Sequence, residues 1–210
     1  MSKFDRCGNI FAVKLQSNPF YRRVRQALRE LRSCQKSWNG VAFRSVLLEF
    51  AKPEQIVDGV GAMKSGARWN PPGSIRTLYC SLNPGTAAEE SMRLFEAAGL
   101  KRATVKPRLI VGIRYRLKAV AELPKLIGAI QGADLAELMA EEWQKINARG
   151  RETQGQALGR ALFDARVEGF LVPSVHVPEA MNLVVFTRNL RQTSRQEVME
   201  EAELKTWLKQ

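Results

Sequence analysis

The chain has 210 residues, 45% of them hydrophobic, and a formal net charge of +12, which gives material for one sizeable core and a surface suited to an anionic partner: nucleic acid, nucleotide, membrane surface or acidic protein. No apolar run approaches the roughly 18–20 residues that span a bilayer, and the first sixteen residues lack the apolar core and small-residue cleavage site of a signal peptide. Cys7, Cys34 and Cys80 are odd in number and scattered, and with the single His176 they make no zinc spacing, so the expectation is a cytoplasmic protein with reduced thiols and no metal.

In chain order, residues 19–35 read as a helix, with Val24, Ala27, Leu28 and Leu31 at helical spacing and arginines on the other face. After a break at Asn39-Gly40, residues 41–51 read as a strand. Residues 52–75, rich in glycine and proline, read mostly as loop and turns. A short strand follows over residues 77–82, and Asn83-Pro84-Gly85-Thr86 is a turn that can cap a helix running to Gly99. Residues 108–117 form a strand pattern with Leu109, Val111, Ile113 and Tyr115 on one face. The stretch 122–168 is helical in character, with one helix over Leu135 to Ile146 and another over residues 154–167. Two apolar strands, 170–172 and 183–186, come next, and the last fifteen residues favour a charged helix with Val198, Leu204, Trp207 and Leu208 as its apolar positions. The pattern is that of a mixed α+β domain behind a basic N-terminal helix.

Three motifs fail on their chemistry or their context. Gly59 to Ser65 resembles a phosphate loop, but Met63 stands where that loop needs glycine before Lys-Ser. Ser174 and His176 fall on one face of an extended segment, as a nucleophile and its base would, yet no Gly-x-Ser-x-Gly elbow surrounds the serine; a hydroxyl bonded to local backbone is the simpler reading. The basic helix of residues 19–36 suits phosphates, a membrane surface or an acidic partner, but its arginines surround the apolar stripe without interleaved aromatics and it reads equally as a docked helix, while the basic residues of 101–118 alternate with apolar ones, as on the solvent side of a strand.

A fourth set carries more chemistry. Arg68, Tyr79 and Glu90 are spaced eleven and eleven residues apart, and Ser174 follows more than eighty residues later. Arginine grips a diphosphate through its planar fork, a tyrosine on the next strand offers a ring face and a hydroxyl, and a carboxylate near the start of the following helix can face a sugar-like cation. Singly, each has a plain alternative: a surface salt bridge for Arg68, core packing for Tyr79 and Trp69, and a dipole-favoured helix acid for Glu90.

In order and context these residues resemble the RES-domain family, named for its Arg, Glu and Ser. The family's Gly-Gly-Arg-Trp-Asn loop reads here Gly66-Ala67-Arg68-Trp69-Asn70, its Leu-Tyr strand is Leu78-Tyr79, its Ala-x-x-Glu helix start places Glu90 rather than Glu89, and its Pro-Ser…Asn segment is Pro173-Ser174 with Asn182. Arg44 resembles the family's early strand arginine, and Gly159 before Phe163 its Gly-x-x-Trp stretch. Ala67 departs from the second glycine, and Ser45 from the aromatic or apolar residue that follows the strand arginine in many members. The resemblance covers about residues 41–188, leaving residues 1–40 as a basic helical extension and 189–210 as a charged C-terminal helix.

It implies an α+β fold similar to ADP-ribosyltransferases, with a split, mostly antiparallel β core around an NAD cleft. It also implies a toxin neutralised by an Xre-like antitoxin, with nucleic acid reached only through that partner. The implied activity is NAD depletion by hydrolysis or phosphorolysis, or ADP-ribosylation of a protein; a basic nucleic-acid-binding module without catalysis is the alternative from another class. In this resemblance Glu90 stabilises the ribosyl cation, Arg68 and Arg44 hold the diphosphate, Tyr79 packs on the nicotinamide or its ribose, Ser174 fixes the pose, and Asn182 organises that wall. The acceptor and the oligomeric state stay open.

Overall fold

A computed structural model describes residues 15–30, 35–97, 99, 101 and 106–200. The element order is α1 (Phe20–Glu30), β1 (Gln35–Leu47), α2 (Pro53–Ile56), α3 (Val60–Ser65), β2 (Thr77–Ser81), α4 (Pro84–Ala97), β3 (Arg108–Glu122), α5 (Leu123–Gly128), α6 (Leu135–Ala140), α7 (Trp143–Ala148), α8 (Gln154–Asp164), β4 (Gly169–Pro173), β5 (Met181–Phe186) and β6 (Arg195–Val198). Among these residues no helix is long and apolar enough to cross a membrane.

The strands run in the order β1-β2-β5-β4-β3-β6, and β1 also pairs with β3. The strands β1, β2, β5, β4 and β3 therefore close on themselves, with β6 added outside β3. All pairings are antiparallel except β3 with β4. Side-chain alternation gives this sheet two apolar faces. The inner face gathers Ala42, Val46, Leu78, Cys80, Val111, Ile113, Tyr115, Leu183 and Val185. The outer face carries Phe170, Val172, Val184 and Phe186, covered by Phe20, Val24 and Leu28 of α1 and by Leu158, Ala161 and Leu162 of α8.

The basic helix is thus a docked one. Its arginines serve the seam: Arg23 and Arg25 donate to the carbonyls of Gln131 and Ala161, and the Tyr21 hydroxyl donates to Asp164. Arg160 of α8 lies over the Tyr21 ring at 4.1 Å and makes a bidentate pair with buried Glu152 at 2.8 Å for both bonds. On β3, Arg114, Arg116 and Lys118 are exposed between buried neighbours, so they occupy the solvent side of a strand.

Several boundaries differ from the sequence reading. The N-terminal strand begins at Gln35 rather than residue 41 because Trp38 packs on the inner core and Asn39-Gly40 pair with β3 instead of breaking the chain. Residues 52–75 include the short helices α2 and α3 rather than loop alone; Pro53 opens α2 at a first-turn position, and Gly59 and Gly66 bracket α3 with φ of 68° and 70°. The helix read across Leu135 to Ile146 is two, α6 and α7, separated at Glu141. Val198 lies on β6, not on a helix. Leu31, Cys7, Cys34 and the C-terminal positions Leu204, Trp207 and Leu208 lie outside the described residues.

A buried carboxylate secures one seam of the ring. Between Trp38↔Leu117 and Lys36↔Val120 the longer count falls on β3, a bulge that leaves the amides of Lys118 and Ala119 without strand partners. Glu168, fully buried, accepts both at 2.5 and 2.8 Å, together with the Arg191 amide at 2.7 Å and the Ser194 hydroxyl at 2.5 Å. Burial alone would raise this carboxyl, but the four donors outweigh it and hold it below the ordinary carboxylate value. Glu168→Gln turns an amide donor toward these donors, and we expect a loss of about 2–3 kcal/mol in denaturant unfolding near neutral pH. A depressed folded value means the carboxylate's contribution is present above the unfolded value and is lost as pH falls through the folded one. The stability gap between wild type and variant should therefore shrink on acidification.

Candidate active site

The register of β2, β5 and β4 builds one wall. Ser81 faces Asn182 across β2–β5, and Val172 faces Asn182 across β4–β5. The Ser81 hydroxyl accordingly donates to Asn182 Oδ1 at 2.7 Å, which turns Asn182 Nδ2 outward to donate to Glu90 Oε1 at 2.8 Å. Ser174 lies just past β4, where its amide closes the turn to β5 on the Ala180 carbonyl at 2.7 Å. Its hydroxyl donates to the same Glu90 Oε1 at 2.6 Å and accepts from the amides of His176 and Val177 at 3.1 and 2.9 Å. The local-backbone role expected of this serine is present, and a contact with Glu90 is added to it.

Glu90 is presented by α4, whose first turn is capped by Asn83 Oδ1 accepting from the amides of Gly85 and Thr86. The neighbouring acid has another engagement: Glu89 accepts from Arg93 Nε at 2.9 Å. Glu90 Oε1 is saturated by two donors. Oε2 has no hydrogen-bond donor among the described residues, and its nearest ionisable neighbour is His176 Nε2 at 3.8 Å. The two side chains are 25% and 36% exposed, so this edge of the carboxylate opens to solvent.

The Gly66 to Gly73 loop is tied to β2 through Tyr79. The Tyr79 hydroxyl donates to Asn70 Oδ1 at 2.7 Å and accepts the Trp69 amide at 3.2 Å; burial pushes its phenol far above the ordinary value. Asn70, fully buried, donates to the Ala62 carbonyl. Trp69 packs edge-on against Phe170 with ring centroids 5.7 Å apart. Ala67, in place of the family's second glycine, is not among the described non-glycine residues with positive φ, so the turn takes a Cβ there without backbone strain. Helix α8 backs the loop: Gln156 Nε2 donates to the Ala67 carbonyl, while Thr153 and Gln156 form a capping box.

Arg68 is aimed by that loop. Its Nη1 donates to the carbonyls of Met139 and, at 3.0 Å, Glu141. Burial lowers its pKa, opposed by the charges of Glu141 and Glu90 and by Tyr79, so Arg68, Tyr79 and Glu90 share one electrostatic environment. Arg44 is placed differently. It faces Val111 across β1–β3, on the inner side of the sheet, and donates to the Ile56 carbonyl; its charge acts on Cys80, Tyr115 and Arg108. The structure thus brings together Glu90, Ser174, Asn182 and Tyr79 with Arg68, and sets Arg44 apart from them.

Some supporting residues were readable and some were not. Thr153-x-x-Gln156 is a capping-box signature in the sequence. Ser81 and Glu141 carry no local signal; they join the site through strand register and through the amides of Gln154 and Gly155, which Glu141 accepts. His176 becomes a neighbour of Glu90 only because the β4–β5 turn folds back on Ser174.

The family model described as the RES domain matches residues 49–207, running past the residue 188 at which the motif resemblance stops. Among solved structures, a chain in the crystal structure of the M. tuberculosis MbcT–MbcA toxin–antitoxin complex matches with a TM-score of 0.62 at 17% identity, covering 91% of this chain and 97% of that one. The likeness is one of fold, and the fold is the α+β, ADP-ribosyltransferase-like arrangement. No curated protein matches.

Proposed function

Since the chain belongs to the RES-domain family, we propose that it breaks the nicotinamide–ribose bond of NAD and so depletes it. The observation that carries this reading is the state of Glu90. One carboxylate oxygen is fixed by Ser174 and Asn182, the other has no hydrogen-bond donor among the described residues, and the charge of Glu90 acts on Arg68. A fixed, charged oxygen needs no reorganisation to stabilise a developing ribosyl cation. Nicotinamide leaves as a neutral group, so no strong general acid is required.

In this reading Arg68 holds the diphosphate with the guanidinium edge left over from its two carbonyl bonds. The Tyr79 ring borders the nicotinamide or its ribose while its hydroxyl keeps the loop in place. Ser174 and Asn182 act by orienting Glu90 as much as by meeting the substrate. Arg44 supports the inner face of the sheet through the Ile56 carbonyl. Because the fold neighbour comes from a toxin–antitoxin complex, we extend the reading to a toxin restrained by an antitoxin protein of the Xre-like class.

The test is direct. Purified protein mixed with NAD should release nicotinamide with water, inorganic phosphate or a protein as acceptor. No release with any of the three overturns the assignment.

A further inference from the structure

Glu90 and His176 stand in an unusual relation that NAD cleavage as such does not require. Their nearest atoms, Oε2 and Nε2, are 3.8 Å apart. That is beyond a direct hydrogen bond, yet one oxygen atom between them can bond to both. The Ser174 hydroxyl accepts the main-chain amide of His176 and donates to the Glu90 carboxylate, which keeps the two residues adjacent. The surroundings do not suit an anionic acceptor. The charge of Arg68 is coupled to Glu90, but its Nη1 is tied to the Met139 and Glu141 carbonyls. A phosphate dianion would meet the Glu90 carboxylate with no second arginine or lysine among that carboxylate's described contacts.

We propose that the acceptor is water, held between Glu90 Oε2 and His176 Nε2, and that neutral His176 takes its proton. This rests on the reading of the chain as an NAD-cleaving enzyme and names the reaction as hydrolysis. The water oxygen bonds to the ribose anomeric carbon as the carbon–nitrogen bond breaks. That bond's electron pair passes to the pyridinium nitrogen, which becomes neutral. The water proton goes to His176 Nε2 and then to solvent, and the products are ADP-ribose, nicotinamide and one proton. The charged groups on the elements around His176 are Glu90 on α4, 3.8 Å away, and Arg68, whose charge is coupled to Glu90.

The experiment uses the full chain with NAD in isotopically labelled water, with and without saturating inorganic phosphate, alongside His176→Gln. Hydrolysis predicts ADP-ribose carrying one labelled oxygen, in an amount phosphate does not change. His176→Gln should lower kcat about a hundredfold with KM little changed and remove the acid limb of the pH profile, and added imidazole should restore part of the rate. The side chain is 36% exposed, so the variant should melt with the wild type. A phosphorylated ribose as the main product, or a variant with the wild-type pH profile, overturns the proposal. Nicotinamide release that persists in either case leaves the NAD-cleaving reading standing, whereas no release with any acceptor removes both.

Discussion

Glu90→Gln should cost a factor of roughly 10²–10³ in kcat for nicotinamide release, the range found when one preorganised electrostatic group is removed from a site. The substitution is close to isosteric. The glutamine oxygen can still accept from Ser174 Oγ and Asn182 Nδ2, now at 2.6 and 2.8 Å, so α4 and the β4–β5 turn keep their places. What is lost is the negative charge opposite the developing cation. The expected signature is therefore a fall in kcat with nearly unchanged KM and melting temperature. Steady-state kinetics and a thermal melt on the same preparation check it. Full activity in the variant would sink the role given to Glu90, and a large drop in melting temperature would reassign the residue to folding. Glu89→Gln is the natural control, because that acid pairs with Arg93 on the outside of the helix.

The second large effect is Gly159→Ala. A Cβ built on Gly159 would lie 1.8 Å from the Trp69 carbonyl oxygen and 2.8 Å from its carbon, and both neighbours are backbone. No rotamer change relieves such a contact. Either α8 or the Trp69 loop must move, although Trp69 is itself pinned by Tyr79 Oη and Phe170. Overpacking of this kind costs about 3 kcal/mol or more, and a melting or urea curve would show it. The displacement should also loosen Arg68, so residual folded protein should show a raised KM for NAD. A variant as stable as wild type would mean that the helix does not approach the loop so closely.

The glycine shows what the sequence could and could not disclose. Gly159 was visible as a motif position, but a lone glycine in a helical pattern does not say which backbone approaches it. Arg68, Tyr79 and Glu90 were legible because each sits in a local context with its own chemistry: a Gly/Pro loop, a strand and a capped helix. The α+β class and most strands followed from periodicity. The closed strand order did not, since β1–β3 pairing joins residues 35–47 to 108–121 and is set by packing rather than by local pattern. Arg44 shows the same limit. Its strand was readable, but whether an even- or odd-numbered position points inward depends on register, and register placed it on the face opposite Ser81 and Asn182. The missing nucleophile elbow argues against His176 as the base of a serine nucleophile, but says nothing about proximity to a carboxylate 86 positions earlier in the sequence.

The run from Ser81 through Asn182 to Glu90 has a polarity. A serine proton points at the amide oxygen, and that oxygen's commitment obliges the amide nitrogen to face the carboxylate. An aspartate of the same shape could accept the serine proton but would then set a second anion against Glu90, and one of the pair would have to take up a proton to coexist. The asparagine thus works as a one-way adaptor, converting a neutral hydroxyl on one strand into a donor on the next. It gives the Glu90 carboxylate a donor without setting a positive charge beside it.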